Sequence, residues 1–228
     1  MKTTKDILQC TTLIVLGIGL LASCKKDKTD KDEINTVTDV DGNKYKTVKI
    51  GEQVWMAENL RTTKYNDGIP IQYITDGASW AALTAGAWCY YNNEPANDNP
   101  YGKLYNWAAA GTGKLCPTGW HIPTGQDWTK LIDELDGEEV AGGKMKATSL
   151  WASPNTGATN ESGFTGLPGG IRNTEGAFIN IGSYGVWWSS AIYSDYRVSY
   201  YLSNNNSQVS MDPWANRMAG RSRRCVKD

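Results

Sequence analysis

The stretch C-P-T-G-W-H-I-P-T-G-Q-D-W-T-K-L-I-D-E-L, residues 116–135, combines a turn, a helix start and one apolar helix face. Thr124 with Asp127 three residues later is an acidic variant of the capping box, which predicts the first turn of a helix. Gly137 is well placed to end that helix. The apolar residues between them recur at intervals of three and four: Trp128, Leu131, Ile132 and Leu135. A helix with one apolar face must pack that face against a core.

The composition favours a protein rich in short strands and turns. The chain has 228 residues, of which 24 are Gly, 12 Tyr, 10 Trp and 2 Phe. Tyr and Trp carry a polar group on an apolar ring, which suits half-buried and hydrated surfaces. The formal net charge is −1. Because such a chain lacks the basic excess that neutralises phosphates, we do not expect nucleic acid as a partner.

Further motifs accompany the central stretch. V-K-I-G-E-Q-V-W-M-A-E-N-L precedes it from residue 48, and G-F-T-G-L-P-G-G-I-R, G-V-W-W-S-S and R-C-V-K-D follow it from residues 163, 185 and 224. In this order the motifs resemble the Fibrobacter succinogenes major paralogous domain, over residues 38–228. The resemblance implies an α+β, C-type-lectin-like fold, in the branch that also holds formylglycine-generating-enzyme-like domains. That fold has short twisted strands in mixed or antiparallel sheets, two main helices and long loops.

The N-terminal segment, residues 1–23, resembles a lipoprotein signal peptide. Lys2 and Lys5 precede an apolar stretch, residues 13–22, that is too short to span a bilayer but fits the apolar region of a signal. The tetrad L-A-S-C at residues 21–24 resembles a bacterial lipobox, whose cysteine is diacylated before cleavage. We therefore expect a mature protein that begins at lipidated Cys24. An ordinary secretory signal with an incidental cysteine is the alternative.

Residues 24–35 are expected to form a charged tether, and residues 36–228 the domain. The run K-K-D-K-T-D-K-D-E at residues 25–33 has nothing apolar to bury. It also resembles the surface-export signal of Bacteroidota lipoproteins, and a plain spacer is the alternative. We therefore expect a protein that is lipid-anchored at the outer membrane or cell surface and contacts the membrane through its anchor.

Within the domain, residues 37–56 predict a hairpin region with turns at Asp41-Gly42 and at Gly51. Helices are predicted over residues 101–110 and, after the central helix, over 142–151. Strands are predicted over residues 88–91, 164–167, 177–181, 186–189, 198–202 and 223–226. Trp187 and Trp188 would place one indole on each face of their strand, one in the core and the other along a surface groove.

The cysteines of the domain are Cys89, Cys116 and Cys225, and export would expose them to an oxidising compartment. Three thiols cannot all pair. In C-type-lectin-like folds a disulfide commonly joins the region of the central helix to the last strand, and Cys116 and Cys225 match those family motifs. The resemblance therefore implies a Cys116–Cys225 disulfide with Cys89 buried and free. A bond between Cys89 and Cys116 is the alternative.

The sequence does not indicate an enzyme. His121 is the only histidine, which excludes a histidine-rich zinc site within one chain. A structural hydrogen bond is the expected role of His121, with a base or ligand as the alternative. The formylglycine-generating relatives use an active-site cysteine pair, which this chain lacks. No P-loop, G-x-S-x-G or Rossmann fingerprint is present. We expect no catalytic residue and no cofactor.

Residues 192–216 carry the chemistry of a binding surface, since Tyr, Ser, Asn and Asp make up 15 of the 25 residues. Tyr and Trp give rigid contact area, while Ser and Asn give adaptable hydrogen bonds. In a strand over 198–202, Val198, Tyr200 and Leu202 would face in, and Arg197, Ser199 and Tyr201 out. The candidate ligand-binding residues are Tyr193, Tyr196, Arg197, Tyr201, Asn204, Asn205, Asn206, Asp212 and Trp214. Ordinary polar strands and loops are the alternative interpretation.

Two functions are compatible with this segment. The first is a surface receptor or adhesin whose late loops bind a glycan or a protein. The composition also resembles the variable segment of lectin-fold proteins that retroelements diversify. The second is a structural or assembly component of the envelope. The oxygen-rich residues 92–99, N-N-E-P-A-N-D-N, could hold calcium, but we favour a solvated loop there and expect no metal.

Overall fold

A computed structural model describes residues 35–228. The strands are β1 (Thr36–Thr38), β2 (Lys44–Ile50), β3 (Gln53–Met56), β4 (Gln72–Tyr73), β5 (Ala87–Cys89), β6 (Leu104–Tyr105), β7 (Trp120–His121), β8 (Gly169–Arg172), β9 (Phe178–Ile181), β10 (Tyr184–Tyr193), β11 (Tyr196–Ser203), β12 (Ser210–Ala215) and β13 (Val226–Lys227). The helices are α1 (Gly77–Ala82), α2 (Asp98–Tyr101), α3 (Trp107–Ala110), α4 (Gly125–Glu134) and α5 (Glu138–Met145). The predicted mixture of helix and sheet is confirmed. The predictions for residues 1–34, including lipidation of Cys24, lie outside the described residues.

Helix α4 begins where the capping box predicts. The Thr124 hydroxyl accepts a hydrogen bond from the Asp127 backbone N–H at 3.1 Å, and the Asp127 carboxylate accepts one from the Thr124 N–H at 2.9 Å. Past the end of the helix, Gly137 has a φ of +92° and donates its N–H to the Ile132 carbonyl at 2.9 Å. The four predicted apolar residues of the helix are all buried. Both ends and the buried face of this helix are therefore confirmed.

The main core joins α4 to two different sheets. The Trp128 ring lies 5.4 Å from the Trp55 ring of β3 and stacks on the Tyr200 ring of β11 at 4.6 Å. Leu131 is completely buried in the same cluster, which α5 enters through Ala141 and Met145. Burying one leucine contributes about 1.5–3 kcal/mol, so this shared layer is what anchors the late strands to the rest of the fold.

A five-stranded antiparallel sheet in the order β1-β2-β3-β13-β7 brings the first and last strands together. The turns at Asp41-Gly42 and Gly51 connect its first three strands, as predicted. Cys116 and Cys225 form the expected disulfide beside this sheet. Cys89 is buried and free, and burial raises the pKa of its thiol to about 12. A second sheet, β4-β5-β6, contains one parallel pair.

The helix predicted over residues 101–110 is wrong except for its last turn, α3. Tyr105 belongs to β6 and exchanges backbone hydrogen bonds with Arg221, at 2.9 and 3.0 Å. Asn106 then caps the one-turn helix α3, because its side chain accepts from the Ala109 N–H. The same oxygen accepts from the Ala87 N–H at 3.0 Å. The spacing of apolar residues could not reveal these distant backbone partners.

The second helix and several strands are displaced from their predicted positions. Helix α5 spans Glu138–Met145 instead of residues 142–151, and β13 is confined to Val226–Lys227. Residues 164–167 do not form a strand, since Thr165 has a φ of +55°. The strand of that region is β8, which pairs with β9. Tyr91 lies in a 3-10 turn after β5, which ends at Cys89.

Candidate binding surface

The late sheet, β10-β11-β12, carries or adjoins all the candidate ligand-binding residues. Its strands are antiparallel, and β10 and β11 are joined by a tight turn at Ser194 and Asp195. β12, which was not predicted, pairs with β11. Tyr196 and Asn204 are eight residues apart along the chain, so about 26 Å separates the two ends of the sheet. The structure therefore does not bring the candidates together in one site.

One end of the late sheet carries an exposed aromatic group, here called the aromatic tip and defined by Ile192, Tyr193, Tyr196 and Trp214. These four side chains are between 47% and 58% exposed. The Trp214 ring makes edge contacts with Tyr193 and Tyr196, at centroid distances of 5.5 and 5.1 Å. Rings in edge contact at the end of a hairpin form one continuous aromatic surface in solvent.

Arg197 lies beside the aromatic tip and packs on Trp107 of α3. Its guanidinium carbon lies 4.2 Å from the centre of the Trp107 ring, and the residue is half-buried. A guanidinium over an indole face is held by the electrostatic attraction between the cation and the ring. Arg197 therefore ties the late sheet to α3, and its role in binding stays a prediction.

The other end of the sheet is here called the asparagine end and is defined by Asn204, Asn205 and Asn206. Its side chains make hydrogen bonds within the protein. The Asn204 amide donates to the carbonyls of Ala152 and Ser153 at 3.3 and 3.0 Å. Asn205 accepts from the Ser203 hydroxyl at 2.7 Å, and Asn206 accepts from the Gln208 N–H at 3.0 Å. These amides satisfy loop polar groups, which is a structural role.

A buried lysine completes the asparagine end. The Lys146 ammonium group donates to the carbonyls of Thr156, Ser203 and Asn206 at 2.7, 3.0 and 2.7 Å. Burial lowers the pKa of this group to about 8. Gly142 of α5 lets the loop approach, because a Cβ at Gly142 would overlap the backbone of Gln208. The loop after β11 is therefore fixed from both sides.

The middle of the sheet contains the remaining candidates, Tyr201 and Asp212. Asp212 accepts hydrogen bonds from Arg221 at 3.1 Å and from the Trp214 N–H at 3.1 Å. Tyr201 faces Tyr184, with ring centroids 5.9 Å apart. Sequence reasoning missed Tyr184 and Arg221. The register of the β10–β11 hairpin could have indicated Tyr184, whereas Arg221 comes from a segment that no local pattern links to this sheet.

The predicted outward face of β11 is partly covered. Val198, Tyr200 and Leu202 are buried as expected, but Ser199 is also completely buried, because Arg221 donates to its hydroxyl. Trp188 does not line a surface groove. It is fully buried, with the guanidinium groups of Arg221 and Arg223 over its ring at 4.5 and 5.1 Å.

The two ring nitrogens of His121 each lie within hydrogen-bond distance of a carboxylate. Its Nδ1 lies 2.6 Å from Asp228 Oδ1, and its Nε2 lies 3.2 Å from Asp127 Oδ2. Asp127 also caps α4, so the ring connects β7 to the start of that helix and to the residue after β13. This arrangement suits the predicted structural role.

The oxygen-rich residues 92–99 use several of their polar groups internally. The Asp98 carboxylate accepts from the buried Lys103 ammonium group at 2.9 Å. The Asn93 and Asn97 amides donate to the carbonyls of Thr75 and Tyr91, at 3.0 and 2.9 Å. Over residues 35–228, no cluster of three or more His, Cys, Asp or Glu residues could hold a metal ion.

The geometry defines an α+β protein, with more strand than helix, that presents an aromatic surface at one end of its late sheet. The chain belongs to the family of the Fibrobacter succinogenes major domain, whose model matches residues 48–227. Comparison with curated proteins found no match, and comparison with solved structures found none.

Proposed function

We propose that this protein is a lipid-anchored binding protein of the cell envelope, a surface receptor or adhesin whose aromatic tip contacts a glycan or protein ligand. The observation that carries the proposal is the exposure of Trp214, which is 58% exposed between two exposed tyrosines. Buried aromatic rings stabilise a fold, whereas a group of rings held in solvent is typical of an interaction surface.

The ligand would contact rings rather than charges. Binding energy at protein surfaces is concentrated in a few Trp, Tyr and Arg side chains. Aromatic faces stack on the C–H faces of sugar rings or fill apolar pockets of a partner. Because the aromatic tip contains no carboxylate cluster, binding there should not depend on calcium, and the proposal includes no cofactor.

The fold that we propose for the domain is C-type-lectin-like. Three features support this assignment: the pairing of the last strand with early strands, the central helices α4 and α5, and a late antiparallel sheet with an exposed hairpin. In such a fold, the late strands and loops commonly form the ligand surface. The composition of residues 192–216 also supports a segment diversified by a retroelement. A reverse-transcriptase gene and a near-identical template repeat beside this gene would test that part of the proposal.

Attachment to the membrane would run through Cys24 and the charged tether. The motif L-A-S-C at residues 21–24 supports lipidation. No helix between residues 35 and 228 is long and apolar enough to cross a bilayer. Substituting Cys24→Ala should release the protein from membranes or block its processing. Unchanged membrane fractionation, together with a native protein that carries no acyl group, would contradict this attachment.

The binding surface is tested with the purified full-length chain on glycan arrays and on whole cells. Trp214→Ala should reduce binding at least tenfold, equivalent to about 1–3 kcal/mol. The matched control is Tyr73→Ala, an aromatic residue that is 43% exposed and stacks on Trp88. Equal binding by the wild type, Trp214→Ala and Tyr73→Ala proteins would refute the proposal, as would loss of binding on addition of a chelator.

The second candidate function is a structural or assembly component of the envelope. Two exposed apolar side chains support it: Ile192 is 56% exposed and Met211 is 52% exposed. Such side chains favour a protein partner over a sugar. Recovery of one stoichiometric envelope protein by crosslinking from intact cells, with no glycan or cell binding, would favour this second candidate.

A further inference from the structure

A small cleft opens beside the late sheet, away from the aromatic tip. Its volume is about 130 Å³. Ile171 and Asn180 come from the β8–β9 hairpin, and Tyr184 and Tyr201 come from β10 and β11. Asp212 and Arg221 also line the cleft. It is shallow, and its lining combines apolar walls with a few polar groups, which is the usual chemistry of a small-molecule site.

The charges in this cleft are already compensated. Arg221 and Asp212 form an ion pair at 3.1 Å, with side-chain exposures of 9% and 32%. Arg221 also donates to the Ser199 hydroxyl, so its position is fixed from the buried side. The two charged residues of the lining therefore cancel, and binding an ion there would require its desolvation. Arg223, the second cation over the Trp188 ring, is completely buried and does not line the cleft. The cleft therefore favours a neutral polar ligand.

The two tyrosines give the cleft an aromatic wall. The rings of Tyr184 and Tyr201 are inclined at 51° to each other, so they are not stacked face to face. Both residues are half-buried and keep part of their surface in solvent. Each phenol combines an apolar face with a hydroxyl group that can donate and accept a hydrogen bond.

We propose that this cleft binds one neutral pyranose residue of a glycan. The C–H face of the sugar would pack on the tyrosine rings, and its hydroxyl groups would donate to the Asp212 carboxylate and pair with the Asn180 amide. This inference rests on the proposed function, because it names the ligand class of a binding protein. It places that ligand at a second position, in the middle of the sheet.

The tyrosines of the cleft and those of the aromatic tip are far enough apart to be tested separately, although Asp212 of the cleft is two residues from Trp214. Tyr196 and Tyr201 are five residues apart on β11, which corresponds to about 17 Å. A single sugar ring cannot contact both of these tyrosines. Substitutions in the cleft should therefore change monosaccharide binding and leave the contacts of the aromatic tip in place.

In the experiment, the purified full-length chain is titrated with simple sugars, and binding is measured by saturation-transfer NMR. The neutral probes are the methyl glycosides of galactose, glucose and mannose, together with N-acetylglucosamine. The charged probes are N-acetylneuraminic acid and glucosamine. At least one neutral probe should bind saturably and more tightly than both charged probes. Tyr201→Ala should weaken that binding about tenfold or more, as expected for a central aromatic contact.

Tyr73→Ala is the matched control, since it removes an exposed tyrosine that lies outside the late sheet, and sugar affinity should not change. Thermal unfolding identifies variants that fail to fold. If Tyr201→Ala does not fold, Tyr201→Phe and Asn180→Ala replace it, and each should weaken binding by a measurable factor.

The inference is overturned if no neutral probe binds, if a charged probe binds more tightly, or if folded variants of the cleft bind as well as the wild type. If no neutral probe binds but cell binding still depends on Trp214, only this inference is removed. Sugar binding in the cleft without Trp214-dependent cell binding would support this inference and remove the role of the aromatic tip.

Discussion

The aromatic tip and the asparagine end lie at opposite ends of the late sheet, and both come from residues 192–216, whose composition predicts a binding surface. At the aromatic tip, Tyr193, Tyr196 and Trp214 are held in solvent by one another. At the asparagine end, Asn204 bonds to loop carbonyls, and the Lys146 ammonium group fills the space between three further carbonyls. Residues that suit a binding surface by composition therefore have a structural role at one end and are exposed at the other.

The difference follows from the backbone around each end. A long loop must find partners for its carbonyl and N–H groups when it is covered, and asparagine supplies donors and acceptors in a short side chain. A two-residue turn between paired strands leaves few backbone groups to satisfy, so its side chains can point into solvent. The role of a polar residue is set by the loop that contains it.

The largest expected effect concerns the core on which both ends depend. Leu131→Ala removes a completely buried side chain beneath the late sheet and should lower the free energy of unfolding by about 3 kcal/mol. Chemical denaturation measures this loss. The control is Ile69→Ala, at a side chain that is 56% exposed, and it should cost less than about 0.5 kcal/mol. Equal, small losses would show that α4 does not support the sheet.

The cap of α4 should contribute the next largest effect. Asp127→Ala removes the hydrogen bonds that the carboxylate accepts from the Thr124 N–H and hydroxyl, and should cost about 2 kcal/mol near neutral pH, measured by denaturation. Asp133→Ala, at an exposed carboxylate near the end of the same helix, should cost nothing measurable. A similar loss of stability in both variants would mean that the effect of Asp127→Ala does not come from the helix cap.

Acid titration sharpens the test of the cap. Burial raises the pKa of Asp127, but hydrogen bonds from Thr124 and His121 outweigh it, so the pKa of the folded state is lowered. The Asp127 carboxylate therefore binds a proton more readily in the unfolded chain than in the folded protein. The stabilisation is present above about pH 4 and is lost as the pH falls through the folded-state pKa. Asp127→Ala should therefore flatten the acid side of the stability profile.

The asparagine end should show a smaller loss that is purely structural. Asn204→Ala removes two hydrogen bonds to carbonyls and should cost about 1.5 kcal/mol in thermal or chemical unfolding, with no change in ligand binding. The matched control is Asn35→Ala, at an exposed residue that bonds through its backbone carbonyl. A loss of binding in folded Asn204→Ala would place this end in the ligand surface and remove the contrast.

The aromatic tip should give the smallest loss of stability. Trp214→Ala removes a side chain that is 58% exposed and should cost less than about 1 kcal/mol, even though binding falls at least tenfold. Denaturation and binding measured on the same preparation separate the two quantities. A cost above about 2 kcal/mol would mean that these rings hold the hairpin together and that their exposure has no bearing on a ligand.

Local patterns of sequence determined the parts of this fold that depend on near neighbours. The capping box at Thr124, the apolar face of α4 and the early hairpin turns require only residues within one turn or one strand pair. The family motifs also implied the disulfide between Cys116 and Cys225, although these residues are far apart in the chain.

Only the tertiary structure decided which polar and aromatic residues are buried, hydrogen-bonded or exposed. Tyr105 is in a strand because its backbone pairs with Arg221, and Ser199 is buried because the same arginine covers it. Composition identified residues 192–216 as one surface, and the fold divided them among an aromatic tip, a cleft and a structural loop. The physical reason is that burial and hydrogen-bond partners are set by contacts between distant segments, which no spacing within a segment encodes.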